Sequence, residues 1–312
     1  MNKVRDKVFL RELRSLEKII DSLKQTYNTL SYPLFDLAIP SSLLEDCTEL
    51  MSKTRKIGEI GRAAAIFKVQ KVIIFRDPAY KDESRLIKKI LQYMETPQYL
   101  RKHAFKLDKD LRYVGILPPL RTQHHPLEKR FEDLPDICLR DCIVLESNKG
   151  VSLLEAGLDR VLCVRKRLKP NRRLTLLIVK KKEEFAVIDP RKYGIYWGYK
   201  VFVESDLKCM LRRYKAEGKG IIATSRYGIE LRRIWEDVLN KMKSKRRILI
   251  LFGSPKRGLY EIFSSYGLDL DKCSEYTINF IYRQGVRTVR TEEAIFIVLA
   301  ILNFMKGYVI GY

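Results

Sequence analysis

Two kinds of hydrophobic pattern alternate along the chain. Short apolar runs rich in β-branched residues occur at Leu34–Pro40 (LFDLAIP), Lys71–Phe75 (KVIIF), Gly220–Arg226 (GIIATSR), Arg246–Phe252 (RRILILF) and Tyr276–Ile281 (YTINFI). Between them lie longer stretches with apolar residues every three or four positions: Ser41–Phe67, Asp82–Phe105, Asp206–Gly218 and Tyr227–Lys245. The first pattern predicts buried strands and the second amphipathic helices. Their alternation predicts a parallel sheet with helical crossovers, an α/β fold. Ser41 or Ser42 stands where a cap would begin the first long helix, Pro97 breaks the second, and Gly218 stops the third.

The rhythm breaks between Phe131 and Lys200. Short runs follow one another there: CIVLE, VSLLEA, RVLCVR, RLTLLIVK, EFAVID and GIYWGYKV. Glycines and charged turns separate them and leave no room for a helix. Closely spaced short strands predict a small barrel or sandwich. Residues 131–200 therefore read as a β domain inserted into an α/β domain made of 32–130 and 201–312. Leu10–Tyr27 has helical spacing and dense charge, and residues 1–31 read as an N-terminal helical arm.

Charge adds a partner to this picture. Lys and Arg outnumber Asp and Glu by 61 to 38, for a formal net charge of +23. Such an excess favours a polyanion, because neutralising phosphates releases counterions. A lysine-rich surface that only maintains solubility is the plainer reading. The most apolar segment, Ala294–Phe304, is shorter than the ~18 residues of a membrane span. The charged start MNKVRDKVFLRELRSLEK lacks a secretory apolar stretch. With six scattered cysteines, the chain reads as reduced and cytoplasmic. Cys138 and Cys142 form one close pair, near His124 and His125. Without a second pair they read as structural thiols and not as a metal site.

Ligands of open α/β sheets bind beyond the carboxyl ends of strands. Three such ends carry distinctive residues: Thr224-Ser225-Arg226, Gly253-Ser254-Pro255-Lys256-Arg257-Gly258, and Asn279 to Gly285. GSPKRG has glycines at P-loop spacing, but Leu259-Tyr260 follows where a triphosphatase needs Lys and Ser or Thr. GxGxxG is absent, and His103, His124, His125 and the cysteines fall outside these loops. This argues against a dinucleotide fold and against an activated nucleophile. Backbone groups, hydroxyls, one amide and arginines suit group transfer by proximity. A glycine-bounded loop can also be no more than a tight strand-to-helix turn.

LFGSPKRG, then NFIYRQGVRTVRTEEAI, then an apolar helix ending in Leu302-Asn303, resembles the SPOUT superfamily of RNA methyltransferases. LPPLRTQHHP (Leu117–Pro126), YGIYWGYKV (Tyr193–Val201) and IATSRYG (Ile222–Gly228) are similar to its archaeal and eukaryotic branch, whose members carry an inserted OB-like domain and are described as RNA uridine-N3 methyltransferases. The resemblance covers the chain from about Tyr32. It implies a SPOUT-type parallel sheet with a C-terminal trefoil knot and an inserted OB-like β-barrel. It implies S-adenosylmethionine as cofactor, held by Thr224, Ser225, Arg226, Gly253, Ser254, Gly258, Asn279, Ile281, Gln284, Gly285 and Thr288. It also implies a homodimer with the site near the subunit interface. The implied substrate is RNA, ribosomal RNA first, methylated at N3 of a uridine. A ribose 2′-O target and a non-catalytic RNA-binding assembly protein are the alternatives.

In such a site Ile281 and Val286 are expected to wall an adenine slot. Uridine N3 is a weak acid whose proton must leave. Arg226 and Arg290 are candidates for stabilising charge on the uracil oxygens, and Glu292 or Glu293 for accepting the proton. The same glutamates suit a helix N-terminus behind a Thr291 cap, and phosphate contacts are open to both arginines. The helix after Thr291 is apolar on nearly every face, as for an element buried by its own sheet and by a partner subunit. In the inserted domain Arg165, Arg167, Arg172, Arg173 and Lys181 are candidate RNA contacts. Tyr193, Tyr196, Trp197 and Tyr199 are candidate stacking platforms, though strand alternation would turn some rings inward.

Overall fold

A computed structural model describes residues 17–310. Eleven strands follow in chain order: β1 Leu34–Pro40, β2 Lys71–Phe75, β3 Ile137–Asn148, β4 Val151–Glu155, β5 Leu162–Val164, β6 Arg173–Val179, β7 Glu184–Ile188, β8 Lys200–Glu204, β9 Gly220–Glu230, β10 Arg247–Leu251 and β11 Tyr276–Asn279. The helices used below are α1 Leu50–Ile66, α2 Ser84–Glu95, α3 Leu207–Ala216, α4 Trp235–Ser244, α5 Leu259–Ser265 and α6 Thr291–Ile310. The chain groups into two units. One contains Ser31–Glu95, Leu107–Leu120 and the described residues from Gly198 on; the other contains the described residues up to Leu30, Thr96–Lys106 and Arg121–Trp197.

The first unit is an α/β layer structure. Its six-stranded sheet has the order β11-β9-β10-β1-β2-β8, with every pairing parallel. Alternate residues of each strand enter opposite cores. Leu37, Ile39, Val72, Ile74, Ile248 and Ile250 pack with Ile57, Leu91, Val238 and Leu299 from α1, α2, α4 and α6. Ala38, Ile73, Phe75, Leu249 and Leu251 pack with Leu211 of α3 and Phe263 of α5. Strand β1 is buried at every position, as a central strand covered on both faces must be. Its one charge, Asp36, accepts from Tyr214 Oη at 2.6 Å and from Arg247 Nη1 at 3.0 Å, so the buried carboxylate is paired.

Three expected elements differ. The first long helix starts at Leu50, not at Ser41, because both serines are buried and bonded to Asp77: Ser42 Oγ donates to Oδ2 at 2.7 Å, and Ser41 Oγ accepts from the Asp77 N–H at 3.0 Å. The helix expected from Tyr227 starts at Trp235, because β9 continues to Glu230 and pairs Ile229 and Glu230 with β11 beyond a register shift. GIYWGYKV forms no barrel strand. Gly194 and Gly198 adopt φ of 76° and 67°, which breaks an extended ladder, and β8 then begins at Lys200 beside β2.

The second unit carries an antiparallel sheet of order β5-β4-β3-β6-β7. Cys138, Cys142, Val144, Leu154, Leu176 and Ile178 fill one side. Burial pushes the Cys138 thiol up to about 11 and raises Cys142 as well, which keeps both protonated. Among the described residues no His, Cys, Asp and Glu group of metal-binding size occurs. Residues 17–26 are helical, and Leu23 packs on the sheet's other side against Leu139, Leu177 and Trp197. Residues 1–16 of the expected arm lie outside the described residues. No helix among the described residues is long and apolar enough to cross a membrane.

Candidate active site

Strands β9, β10 and β11 are neighbours in the sheet, so the bulge of β9 between Ala223 and Ile229 and the carboxyl ends of β10 and β11, far apart in sequence, share one rim. A cavity of about 260 Å³ opens there. Thr224, Ser225 and Arg226 reach it from β9, Gly253, Ser254 and Gly258 from the loop after β10, and Asn279, Ile281, Gln284 and Thr288 from the segment after β11. Of the residues named for the cofactor, Gly285 alone is not in its wall. Phe252, Leu259, Ile278, Ala294 and Val298 add an apolar lining. Val286, expected in the adenine slot, is 57% exposed and outside the lining.

The loop between Gly253 and Gly258 is braced from beneath. Ser254 Oγ donates to Glu45 Oε1 at 2.5 Å, and the Lys256 N–H donates to the same oxygen at 2.7 Å. Arg257 Nη1 donates at 2.5 Å to Asp77, which is fully buried. The Ser254 hydroxyl is thereby committed to the loop itself. A Cβ at Gly253 would come within 3.1 Å of Arg257 O and 3.2 Å of Leu259 N, so this glycine serves the turn's own packing. A Cβ at Gly258 or Gly285 would meet only open space. The Gly258 N–H donates to Glu261 Oε2 at 3.0 Å, which starts α5.

Helix α6 begins differently from expectation. Thr291 Oγ1 does not cap it but donates to Gly253 O at 3.0 Å, tying the helix to the loop. Glu293 Oε2 accepts from the Arg290 N–H at 2.9 Å, a capping interaction. Glu292 is 5% exposed, outside the cavity lining, and lies 3.3 Å from Lys56 Nζ, itself bonded to Asp46 at 2.7 Å. One step along a helix turns a side chain about 100°, which sends Glu292 toward α1 while Thr291 faces the cavity. Arg290 is likewise outside the lining.

Arg226 is held in place. Its Nη1 donates to Arg287 O at 2.6 Å and its Nη2 to Tyr227 Oη at 2.5 Å, while Asn279 Nδ2 donates to Arg226 O at 3.1 Å. Thr224 Oγ1 donates to Leu251 O at 2.9 Å, linking β9 to the end of β10. Tyr227 lines the cavity too; in the sequence it falls within IATSRYG and at the start of an expected helix, and neither singles it out as a site residue.

In the antiparallel unit Arg165, Arg167 and Arg172 are exposed. Arg173 is partly buried and bonded to Asp141, through Nε at 2.9 Å and Nη2 at 2.5 Å. Lys181 is exposed and paired with Asp136 at 2.7 Å. Of the four candidate stacking rings, Tyr196, Trp197 and Tyr199 are buried and Tyr193 is partly exposed. Trp197 Nε1 donates to Asp141 Oδ1 at 2.8 Å. Those three rings are core, because the segment carrying them is a buried connection and not an exposed barrel strand.

Residues 35–302 match the model of a family described as "putative RNA methyltransferase". The chain belongs to this family. Its relatives include a protein named 28S rRNA (uridine-N(3))-methyltransferase in Drosophila melanogaster, 29% identical over 306 residues, covering 86% of this chain and 61% of the fly protein. The chain thus spans less than two thirds of that relative's length. The Homo sapiens family member of the same name is 30% identical over 308 residues, covering 86% of this chain and 77% of the human protein. An uncharacterised protein of Haloarcula marismortui is 28% identical over 287 residues, covering 86% of this chain and 98% of its own length.

Proposed function

We propose that this chain is an S-adenosylmethionine-dependent RNA methyltransferase that modifies N3 of a uridine in ribosomal RNA. One observation carries the reading: a single cavity is walled by Thr224–Tyr227 from the bulge within β9, by the loop after β10, and by the end of β11 with the segment that follows it. Family membership supports methyl transfer to RNA, and the fly and human relatives' names support uridine N3. The wall fits the cofactor. Phe252, Leu259 and Val298 offer an apolar surface to adenine, and open space beside Gly258 lets a ligand approach the backbone.

When bound, this cofactor supplies an electrophilic methyl group. The chain's own residues bind and orient both reactants. Arg226, fixed by Arg287 O and Tyr227 Oη, stabilises negative charge on the uracil oxygens as N3 loses its proton. Arg290, next to the lining residues Val289 and Thr291, adds positive charge to the same rim. Glu292 is paired with Lys56 and Glu293 caps α6, so the proton leaves to water and not to a fixed carboxylate.

The reading extends to architecture. The return of the chain to β11 on the far side of β9, together with the Thr291–Gly253 tie, supports a trefoil knot. The strand order β5-β4-β3-β6-β7 and the approach of edge strands β5 and β7 support an OB-like barrel inserted in a discontinuous methyltransferase domain, with Arg165, Arg167 and Arg172 as its RNA contacts. Exposed Phe304 and Tyr308 on α6 support a homodimer.

Calorimetry with S-adenosylhomocysteine and mass spectrometry of ribosomal RNA nucleosides from a deletion strain test the proposal. Saturable binding and loss of one N3-methyluridine are expected. Loss of a 2′-O-methyl nucleoside would move the target to ribose. Absence of binding at millimolar ligand would leave an RNA-binding protein without transfer activity.

A further inference from the structure

We infer that Tyr227, paired with Arg226, is a stacking platform for an unpaired base of the RNA strand at the mouth of the cavity. The inference rests on the RNA methyltransferase reading and adds to it where the strand lies. Tyr227 lines the cavity although it is 71% exposed. Single exposed aromatics are ordinary, but this one is combined with three further features.

The first is a fixed backbone. The Tyr227 N–H donates to Ser225 Oγ at 3.1 Å. At Gly228 the strand lies so close to β11 that a Cβ would fall 2.5 Å from Thr277 O. The ring is therefore carried on a bulge of β9 that is anchored against β11 at Gly228, between the paired residues Ala223 and Ile229, which lowers the entropy lost on binding.

The second is the Arg–Tyr pair itself. The Arg226 guanidinium carbon lies 4.6 Å from the Tyr227 ring centre, and the Tyr227 hydroxyl accepts from Arg226 Nη2. Aromatic rings and guanidinium planes are the surfaces on which proteins stack single-stranded bases.

The third is uncompensated charge. Arg232 and Arg233 are paired with Glu230, whereas Arg226, Arg283 and Arg287 have no carboxylate partner among the described residues. Exposed rings next to unpaired arginines suit a polyanion with apolar faces. A second copy of this chain would bring like charges together on the same patch.

The test measures full-length protein against a fluorescent, uridine-rich single-stranded RNA by anisotropy. S-adenosylhomocysteine calorimetry and light scattering are run on the same samples. Tyr227→Ala and Tyr227→Leu are expected to weaken RNA binding on the order of tenfold or more. Tyr227→Phe and Tyr227→Trp are expected to stay within about twofold, because stacking needs the ring and not the hydroxyl. Solution mass should not change, and S-adenosylhomocysteine should still bind saturably to every variant. Wild-type RNA affinity in Tyr227→Ala, or a Leu variant as good as Phe, would overturn the platform while leaving the methyltransferase reading intact. A changed solution mass would assign the ring to an interface between copies instead. A wild-type protein that binds no RNA would overturn both.

Discussion

Arg226 has its guanidinium donors aimed before any substrate arrives, since Arg287 O and Tyr227 Oη hold it. Removing one fixed donor to developing charge typically costs two to three orders of magnitude in turnover. Arg226→Ala is therefore expected to lower kcat by roughly a hundredfold in single-turnover methyl transfer, with a smaller effect on cofactor binding. Arg226→Lys is expected not to rescue it, because an ammonium lacks the planar fork that reaches both partners. Lys306 allows a test at the same scale that is independent of catalysis. Burial lowers its pKa from 10.5 to about 8, while its Nζ lies 4.9 Å from the Phe35 ring centre. The folded pKa is below the unfolded one, so the unfolded chain binds more protons between those two values and stability rises with pH through that window. Lys306→Met is expected to unfold at higher urea than wild type near pH 7, and the difference should shrink by about pH 10.

The loop from Gly253 to Gly258 owes its form to a residue about two hundred positions away. Glu45 accepts from Ser254 Oγ and from the Lys256 N–H with one oxygen. Hydrogen bonds to a charged acceptor are worth roughly 1.5–3 kcal/mol each. Glu45→Ala should weaken S-adenosylhomocysteine binding roughly tenfold by calorimetry. Glu45→Gln, which keeps an acceptor oxygen, should recover most of that affinity. GSPKRG is legible as a glycine-bounded loop after a buried strand, but nothing in its spacing points to Glu45 or Asp77. Tyr227 was hidden for a related reason: YGIELRRIW has acceptable helical spacing, and only the pairing of Ile229 and Glu230 with β11, beyond a bulge that holds Tyr227, keeps this stretch from forming a helix.

At the scale of the whole molecule the question is what covers α6. Ile295, Val298, Leu299, Leu302 and Met305 are buried by the chain's own core. Phe304 is 62% and Tyr308 57% exposed, and Tyr308 meets Trp235 edge to face with ring centres 6.2 Å apart. The helix that reads as apolar all round thus has one buried side and one open side in a single chain. Apolar patches of this kind mark association surfaces. If the proposed dimer uses this face, Phe304→Asp with Tyr308→Asp should halve the mass measured by light scattering without loss of helical signal. A wild-type protein that is already monomeric would remove the dimer from the proposal. Ile297→Lys is a milder probe of the same face, since Ile297 is half-buried, whereas Leu299 is fully buried and a charge there should unfold the chain.

Local pattern determined the existence of the parallel-sheet strands other than β8, the helical crossovers other than α5, the run of antiparallel strands and the three segments that carry the candidate site. Each of these depends on side chains a few residues apart, where the spacing of apolar positions and a glycine or proline decide the backbone. Tertiary structure decided everything that depends on a distant partner. Ser41 and Ser42 bond Asp77 and do not cap a helix, and Thr291 bonds Gly253. Glu292 faces Lys56 and not the cavity, and Tyr196, Trp197 and Tyr199 are core. A hydroxyl, a carboxylate or an aromatic ring has several chemically equivalent uses. Which one it serves depends on the atoms within hydrogen-bonding reach, and the order of strands in the sheet sets that neighbourhood.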